Sequence, residues 1–223
     1  MQKMFQELRL LDKQKDKELV IYPLDNFSYA KETFFFPLGA QEIGKAAISY
    51  PIFFVQENSE VIPVALLGIQ NNKFVDDKGK WKEGFYIPNV VKSYPFGSTK
   101  VGEAYSLIID NKYVSNKKRG ERFFDDNGEL SEYGKKIVDF VQDTYADIER
   151  IKSVCKDLKE FLSPVEIDIK QSKKEYKIKG MYRIEEKTFR DLDEEKLYEL
   201  FQKGSIDIIY AHFISLNNLH RVA

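Results

Sequence analysis

The sequence predicts an α+β protein: a mixed, mostly antiparallel sheet with one long helix over about residues 132–162 and two C-terminal helices. Three observations carry that expectation. Short β-favouring apolar runs broken by Pro, Gly, Asp and Asn crowd residues 20–109. An apolar repeat of 3.5 residues then runs from Ile137 to Leu162. The order of strands first, then helix, hairpin and two helices departs from regular βαβ alternation.

Each element follows from local chemistry. Residues 1–17 are charged and weakly patterned and read as a flexible lead-in to a single domain over 18–223. Val20-Ile21-Tyr22 before Pro23 reads as a short strand. So does 33–36, closed by Pro37. Ile43, Ala46, Ala47 and Tyr50 fall at helical spacing, so 40–49 is a short helix stopped before Pro51. The runs 51–55 and 61–69 form two strands around Glu57-Asn58-Ser59-Glu60, and their near-continuous apolar character implies cover on both faces. Phe74-Val75-Asp76-Asp77-Lys78-Gly79 leads through a turn to Trp81, and Phe123-Phe124-Asp125-Asp126-Asn127-Gly128 echoes it. Residues 86–91 suggest a helical turn, 104–109 a strand, and 111–122 a charged loop.

Ser131 is an N-cap signal for the long helix and Ser163-Pro164 its stop. Within it Ile137, Val141, Thr144, Ile148, Ile151, Cys155, Leu158 and Leu162 recur at gaps of four and three. About 31 residues at a rise of 1.5 Å span roughly 46 Å. Such a seam either lies across the chain's own sheet or pairs with a second copy in a homodimer. Residues 165–169 and 176–184 form a hairpin across Gln171-Ser172-Lys173-Lys174. A helix capped by Asp193 ends at Gly204, and a second one from Ser205, apolar almost all round, should be buried.

Composition narrows the function. Hydrophobic residues make up 43% and charged residues 32% of 223, a soluble globular balance. A formal net charge of -1 supplies no field to attract nucleic acid. The short cluster Lys117-Lys118-Arg119 with Arg122 reads as a solvated loop. The N-terminus lacks the apolar stretch of a secretory signal, and no run reaches the roughly 18 apolar residues of a membrane span. With one cysteine, Cys155, no internal disulfide forms, so a cytoplasmic setting is expected.

Catalytic and metal motifs are weak. The two histidines, His212 and His220, lack the i, i+4 spacing of zinc-binding helices, and His212 reads first as a buried, hydrogen-bonded core residue. Cys155 occupies a seam position, where it acts as a small hydrophobe. The Asp-rich turns lack the ligand spacing of an EF-hand, and Gly97-Ser98-Thr99-Lys100 lacks the spacing of a P-loop. No catalytic residue, metal or cofactor is therefore assigned. Aromatics reach 14%, and Tyr-Pro occurs at 22–23, 50–51 and 94–95. Most of this content reads as core. The alternative is a pocket in which Trp81, Tyr86, Tyr94 and Phe96 meet Tyr182, Arg183 and His212, with Arg183 gripping a carboxylate and His212 moving protons.

The order of the aromatic blocks resembles the SapC family. The resemblance is carried by Leu24-Asp25-Asn26-Phe27-Ser28-Tyr29-Ala30, Phe36-Pro37-Leu38, Tyr50-Pro51-Ile52 and Pro63-Val64-Ala65-Leu66-Leu67-Gly68. It continues through Phe74-Val75-Asp76, Gly79-Lys80-Trp81, Tyr86-Ile87-Pro88 and Tyr94-Pro95-Phe96. It ends in Gly180-Met181-Tyr182-Arg183-Ile184 and Ile209-Tyr210-Ala211-His212-Phe213-Ile214-Ser215-Leu216. Over roughly residues 18–222 the match is collinear. The family is named for bacterial surface-layer systems, in which a member's gene lies with a type I secretion apparatus. The resemblance implies a cytoplasmic accessory protein that binds the surface-layer protein or type I secretion components, and it carries over no catalytic residues. The rival expectations are an enzyme or ligand-binding protein using the aromatic pocket, and a structural homo-oligomer built on the seam.

Overall fold

Every strand pair among the described residues runs antiparallel, as short polar turns between apolar runs require. A computed structural model describes residues 4–222 apart from 23, 58, 103, 114–119, 172 and 173. The elements of the first half are β1 (Leu8–Leu10), β2 (Val20–Ile21), β3 (Phe35–Pro37), α1 (Ile43–Ser49), β4 (Ile52–Glu57), β5 (Glu60–Leu66), α2 (Asn89–Lys92), β6 (Phe96–Val101) and β7 (Ala104–Asp110). The second half adds β8 (Glu121–Arg122), α3 (Glu132–Cys155), β9 (Leu162–Gln171), β10 (Lys174–Ile184), α4 (Glu186–Arg190), α5 (Glu194–Gln202) and α6 (Ser205–Ser215). They form a five-stranded sheet in the order β3-β5-β4-β10-β9, a three-stranded sheet β1-β7-β6 and the pair β2-β8. The fold is α+β.

Two hydrophobic cores result. The larger packs the five-stranded sheet against α1, α6 and the C-terminal half of α3, with Tyr50, Phe36, Phe53, Phe54 and Phe74 among its fully buried side chains. The smaller gathers Leu19, Ile21, Phe96, Ile109, Phe123, Phe124 and Val141 between the three-stranded sheet, β2 and the N-terminal half of α3. The long helix joins them. Ser131 caps it, its Oγ accepting from Gly134 N at 2.9 Å. Val141 then serves the smaller core, while Ile148, Ile151, Cys155 and Leu158 serve the larger. Ile137 and Leu162 are partly buried against the same two cores. The seam is thus taken up by the chain's own sheets and is not a free surface for a second copy. Its polar member, Thr144, is satisfied by donating to Phe140 O at 2.7 Å.

Several details depart from the sequence expectation. The segment 1–17, expected to be a flexible lead-in, contains β1, which pairs with β7, and Met4 and Phe5 are buried. Their apolar side chains and the acceptors of β7 outweigh the charge around them. The α-helix ends at Cys155, and a 3-10 segment Lys156–Phe161 tightens the last turns before Leu162 opens β9. Pro164 lies inside β9, tolerated because β9 is an edge strand. Strand β6 and helix α4 were not anticipated. The cluster 117–119 lies outside the described residues, as does part of the β9–β10 turn. Helix α6 is not buried all round, since Tyr210 and Ile214 are exposed.

The sequence echo is a structural one. Asp76 Oδ1 accepts from Lys78 N and Lys80 N at 2.8 Å each, and Lys82 N bonds Phe74 O at 2.8 Å. Asp125 Oδ1 likewise accepts from Asn127 N and Glu129 N at 2.9 Å each, and Ser131 N bonds Phe123 O at 3.0 Å. Both loops turn on a glycine in the left-handed region, Gly79 at φ 77 and Gly128 at φ 75. The second loop delivers the chain straight into α3, and there the packing is tight. A Cβ on Gly134 would lie 2.2 Å from Phe123 O, whereas one on Gly44 in α1 would meet nothing within 4 Å.

The two helical glycines should therefore respond with opposite signs. Gly44→Ala should stabilise the protein by roughly 0.5 kcal/mol through helix propensity. Gly134→Ala should destabilise it by about 1–3 kcal/mol, because backbone must move. Urea unfolding of both variants checks this, and a shared sign would contradict the packing described.

Candidate functional site

The sequence-selected aromatics are held by a set of buried polar side chains. Tyr50, at the C-terminus of α1, is fully buried; its hydroxyl accepts from Trp81 Nε1 at 3.1 Å and donates to Tyr86 O. Tyr86 OH donates to Glu42 Oε1 at 2.8 Å, and Glu42 also accepts from Asn89 N at 2.7 Å and Gly39 N at 3.1 Å. Glu42 is 2% exposed, so this carboxylate ties the start of α1 to the start of α2 from inside. Burial and the Glu42 charge push the Tyr86 phenol well above its ordinary pKa. Burial, with a smaller push from the Lys45 charge and against the pull of Glu42, moves Lys92, whose amine sits 4.9 Å over the Tyr86 ring, below its own.

Tyr94 reaches Trp81 only through the rings of Tyr29 and Phe27 and has its own polar partner. It stacks on Tyr29 at 4.1 Å between centroids, and its hydroxyl donates to Asp110 Oδ2 at 3.0 Å. Asp110 is fully buried and also accepts from Gln6 N, Glu7 N and Lys112 N. Phe96 lies in the smaller core, stacked on Phe123 at 5.2 Å. On β10, Tyr182 pairs with Phe54 of β4, and Arg183 forms a half-exposed ion pair with Glu185 at 2.9 Å.

His212 occupies the interior of the five-stranded sheet. Strands β4 and β10 pair at Tyr182↔Phe54, and counting on two residues along each strand reaches Ile184 and Ile52. There the imidazole intervenes. Ile184 N donates to His212 Nε2 at 3.2 Å, and His212 Nδ1 donates to Ile52 O at 2.7 Å. Ile52 N is taken by Ser215 Oγ at 2.8 Å. Both bonds need the neutral Nδ1–H tautomer, and burial holds the pKa down at about 4.

The seven residues proposed from sequence do not line one pocket. Trp81 and Tyr86 are linked through Tyr50, Tyr94 faces Asp110, Phe96 lies in the other core, and His212 is enclosed between strands. Cys155 is fully buried, which raises its thiol pKa to about 12 and keeps it a thiol at neutral pH. Sequence reasoning missed the buried carboxylates Glu42 and Asp110. Glu42 was legible from its spacing of four from Ala46, on the buried side of α1.

It also missed an apolar surface. Helix α5 is fixed to the preceding 3-10 segment by Lys196–Glu160 at 2.9 Å and Lys203–Asp157 at 3.1 Å. Positions 196, 199 and 203 share one side of the helix, so 198 and 201 project from the other. Tyr198 and Phe201 are each 66% exposed, and on α6 Tyr210 is 50% and Ile214 59% exposed. The signal was present: Leu197 and Leu200 already complete the buried stripe of α5, leaving its neighbouring aromatics outside.

These features define an α+β protein with antiparallel sheets stapled by buried polar side chains and exposed apolar side chains on its last two helices. Comparison with known families assigns it more closely. A family model described as SapC matches residues 11–222, and the chain belongs to the SapC family. No curated protein and no solved structure matches it. No helix of the described residues is long and apolar enough to cross a membrane.

The His212 bridge has a pH signature. A folded pKa of about 4 against the ordinary 6.5 means that the unfolded chain binds the extra proton first. Stability from this group is full above about pH 6.5 and is lost as pH falls toward about 4, by about 3 kcal/mol in all. In His212→Asn the titrating ring is gone, and the shorter amide can stand in at Nδ1 toward Ile52 O without reaching the Nε2 position. Urea unfolding between these pH values should show wild type losing that much more stability than the variant; parallel curves would contradict the bridge.

Proposed function

We propose that this protein is a non-catalytic cytoplasmic accessory factor of surface-layer biogenesis or secretion, and that it binds a protein partner through the outer faces of α5 and α6. One observation carries the reading: Tyr198, Phe201, Tyr210 and Ile214 stand at least half exposed on two consecutive helices. Aromatic side chains left in water on rigid helices are characteristic of protein interfaces, where Tyr and Phe give large contact area for little entropy. The ion pairs that hold α5 from behind keep that face preorganised, which lowers the ordering cost of binding. The resemblance to a family named for bacterial surface-layer systems supports the surface-layer context, and the exposed helical side chains support a partner that is a folded protein or an amphipathic segment.

The test is affinity capture with purified surface-layer protein and with type I secretion components. Wild type should retain one of them. Tyr198→Ser/Phe201→Ser should lower the affinity by about tenfold or more, the scale of losing an interface anchor, with an unchanged melting temperature. Capture of neither component by wild type, or undiminished capture by the double variant, would sink this reading.

A further inference from the structure

The exposed apolar side chains of α5 and α6 are accompanied by unpaired charges of one sign. On α5, Glu194, Tyr198 and Phe201 are exposed and fall on one stripe, since positions three and four apart share a helix face, and Glu195 stands beside them. On α6 the exposed stripe Asp207, Tyr210 and Ile214 repeats the arrangement, an acid one turn ahead of an aromatic. The neighbouring cations already have partners. Lys196 is held by Glu160 at 2.9 Å and Glu199 at 3.1 Å, and Lys203 by Asp157 at 3.1 Å and Glu199 at 2.6 Å. Arg190, close to Tyr210, is held by Glu186 at 2.6 Å. His212 is buried and neutral. No ion pair among the described residues engages Glu194, Glu195 or Asp207.

A carboxylate in the first turn favours its own helix through the dipole, and that alone implies no partner. Here the carboxylates border the exposed aromatics, and neither helix has a free cation to balance them. We propose that the element received by this face is a basic amphipathic helix of a partner protein. Large apolar residues at i, i+3, i+4 and i+7 would cover Tyr198 and Phe201, and Lys or Arg at the edges would answer Glu194, Glu195 and Asp207. The proposal rests on the reading of α5 and α6 as a partner surface and narrows what that partner presents. The same charges work against other occupants. An anionic lipid surface is repelled, and a second copy docked face to face would set carboxylate against carboxylate. Aromatic contact supplies the affinity, while the acidic rim selects the partner and speeds encounter.

The test uses two fluorescent peptides of about 18 residues with one helical leucine pattern, one carrying lysine and the other glutamate on the polar face. By anisotropy the full-length chain should bind the lysine peptide at least about tenfold more tightly than its twin, and Tyr198→Ser/Phe201→Ser should lose that binding. Raising salt from about 0.05 to 0.5 M should weaken it severalfold. In Glu194→Lys/Glu195→Lys the preference should vanish or reverse. Equal binding of the two peptides by wild type, no binding of the lysine peptide, or a preference that survives charge reversal overturns the proposal. Should the reversed variant fail to fold, Glu194→Gln/Glu195→Gln decides: a loss of about threefold or more supports the proposal, and unchanged affinity overturns it. If Tyr198→Ser/Phe201→Ser abolishes capture of the natural partner while the lysine peptide is not preferred, the partner surface stands and its basic ligand falls. The two readings thus fail separately.

Discussion

The five-stranded sheet depends on a histidine that stands where a backbone hydrogen bond would be. Strands β4 and β10 meet at Tyr182↔Phe54 and part beyond it, and the imidazole of His212 spans the opening from Ile184 N to Ile52 O. Ser215 Oγ, one turn on in α6, accepts from Ile52 N. Helix α6 therefore serves as a rung of the sheet as well as a layer over it. A water-filled gap at this position would leave buried backbone groups exposed to competition, and an apolar side chain would leave them unpaired, at about 1–3 kcal/mol each. The neutral imidazole, a donor on one nitrogen and an acceptor on the other, fits both strands.

The same solution recurs wherever elements distant in sequence meet. Glu42 joins α1 to α2, Asp110 joins the N-terminal segment to β7, and Asn218 Nδ2 donates to Ala47 O at 2.7 Å to hold the C-terminal segment over α1. Each uses a buried side chain to satisfy main-chain groups that no strand or helix partner reaches. Helix α3 then fixes the two cores relative to each other, with Val141 in one and Ile151 in the other. Large apolar side chains remain in water elsewhere too, Ile48 on α1 most of all, and those of α5 and α6 are set apart by falling on two consecutive helices.

Much of this was legible in the sequence, and for physical reasons. The α3 seam, its Ser131 cap, the β4–β5 hairpin and the two C-terminal helices follow from periodicity and capping, which are local. The Asp-x-x-Gly loops were visible as an echo because their hydrogen bonds close within nine residues. Burial of His212 was also readable, since it sits among apolar neighbours. Its partners were not, because Ile52 lies 160 residues away in the chain. The N-terminal strand β1 and the residues before it escaped for a related reason. Its charges suggested disorder, and only the position of Asp110 reveals that Gln6 and Glu7 have a buried acceptor. Membership of a pocket is equally non-local: Trp81, Tyr94 and Phe96 are close in sequence, yet the chain turns each to a different neighbour.

The account rests on a neutral His212 acting as the spacer between two strands, and the imidazole itself reports on that most directly. Long-range ¹H–¹⁵N correlation spectra of uniformly labelled protein distinguish a protonated from an unprotonated ring nitrogen. The structure predicts that His212 remains the neutral tautomer with the proton on Nδ1 down to about pH 5, as a pKa of about 4 requires. Slow exchange of the Ile184 amide should accompany it. An Nε2–H tautomer, or an imidazolium already present near pH 6, would contradict the bridge and with it the explanation of how the sheet is joined.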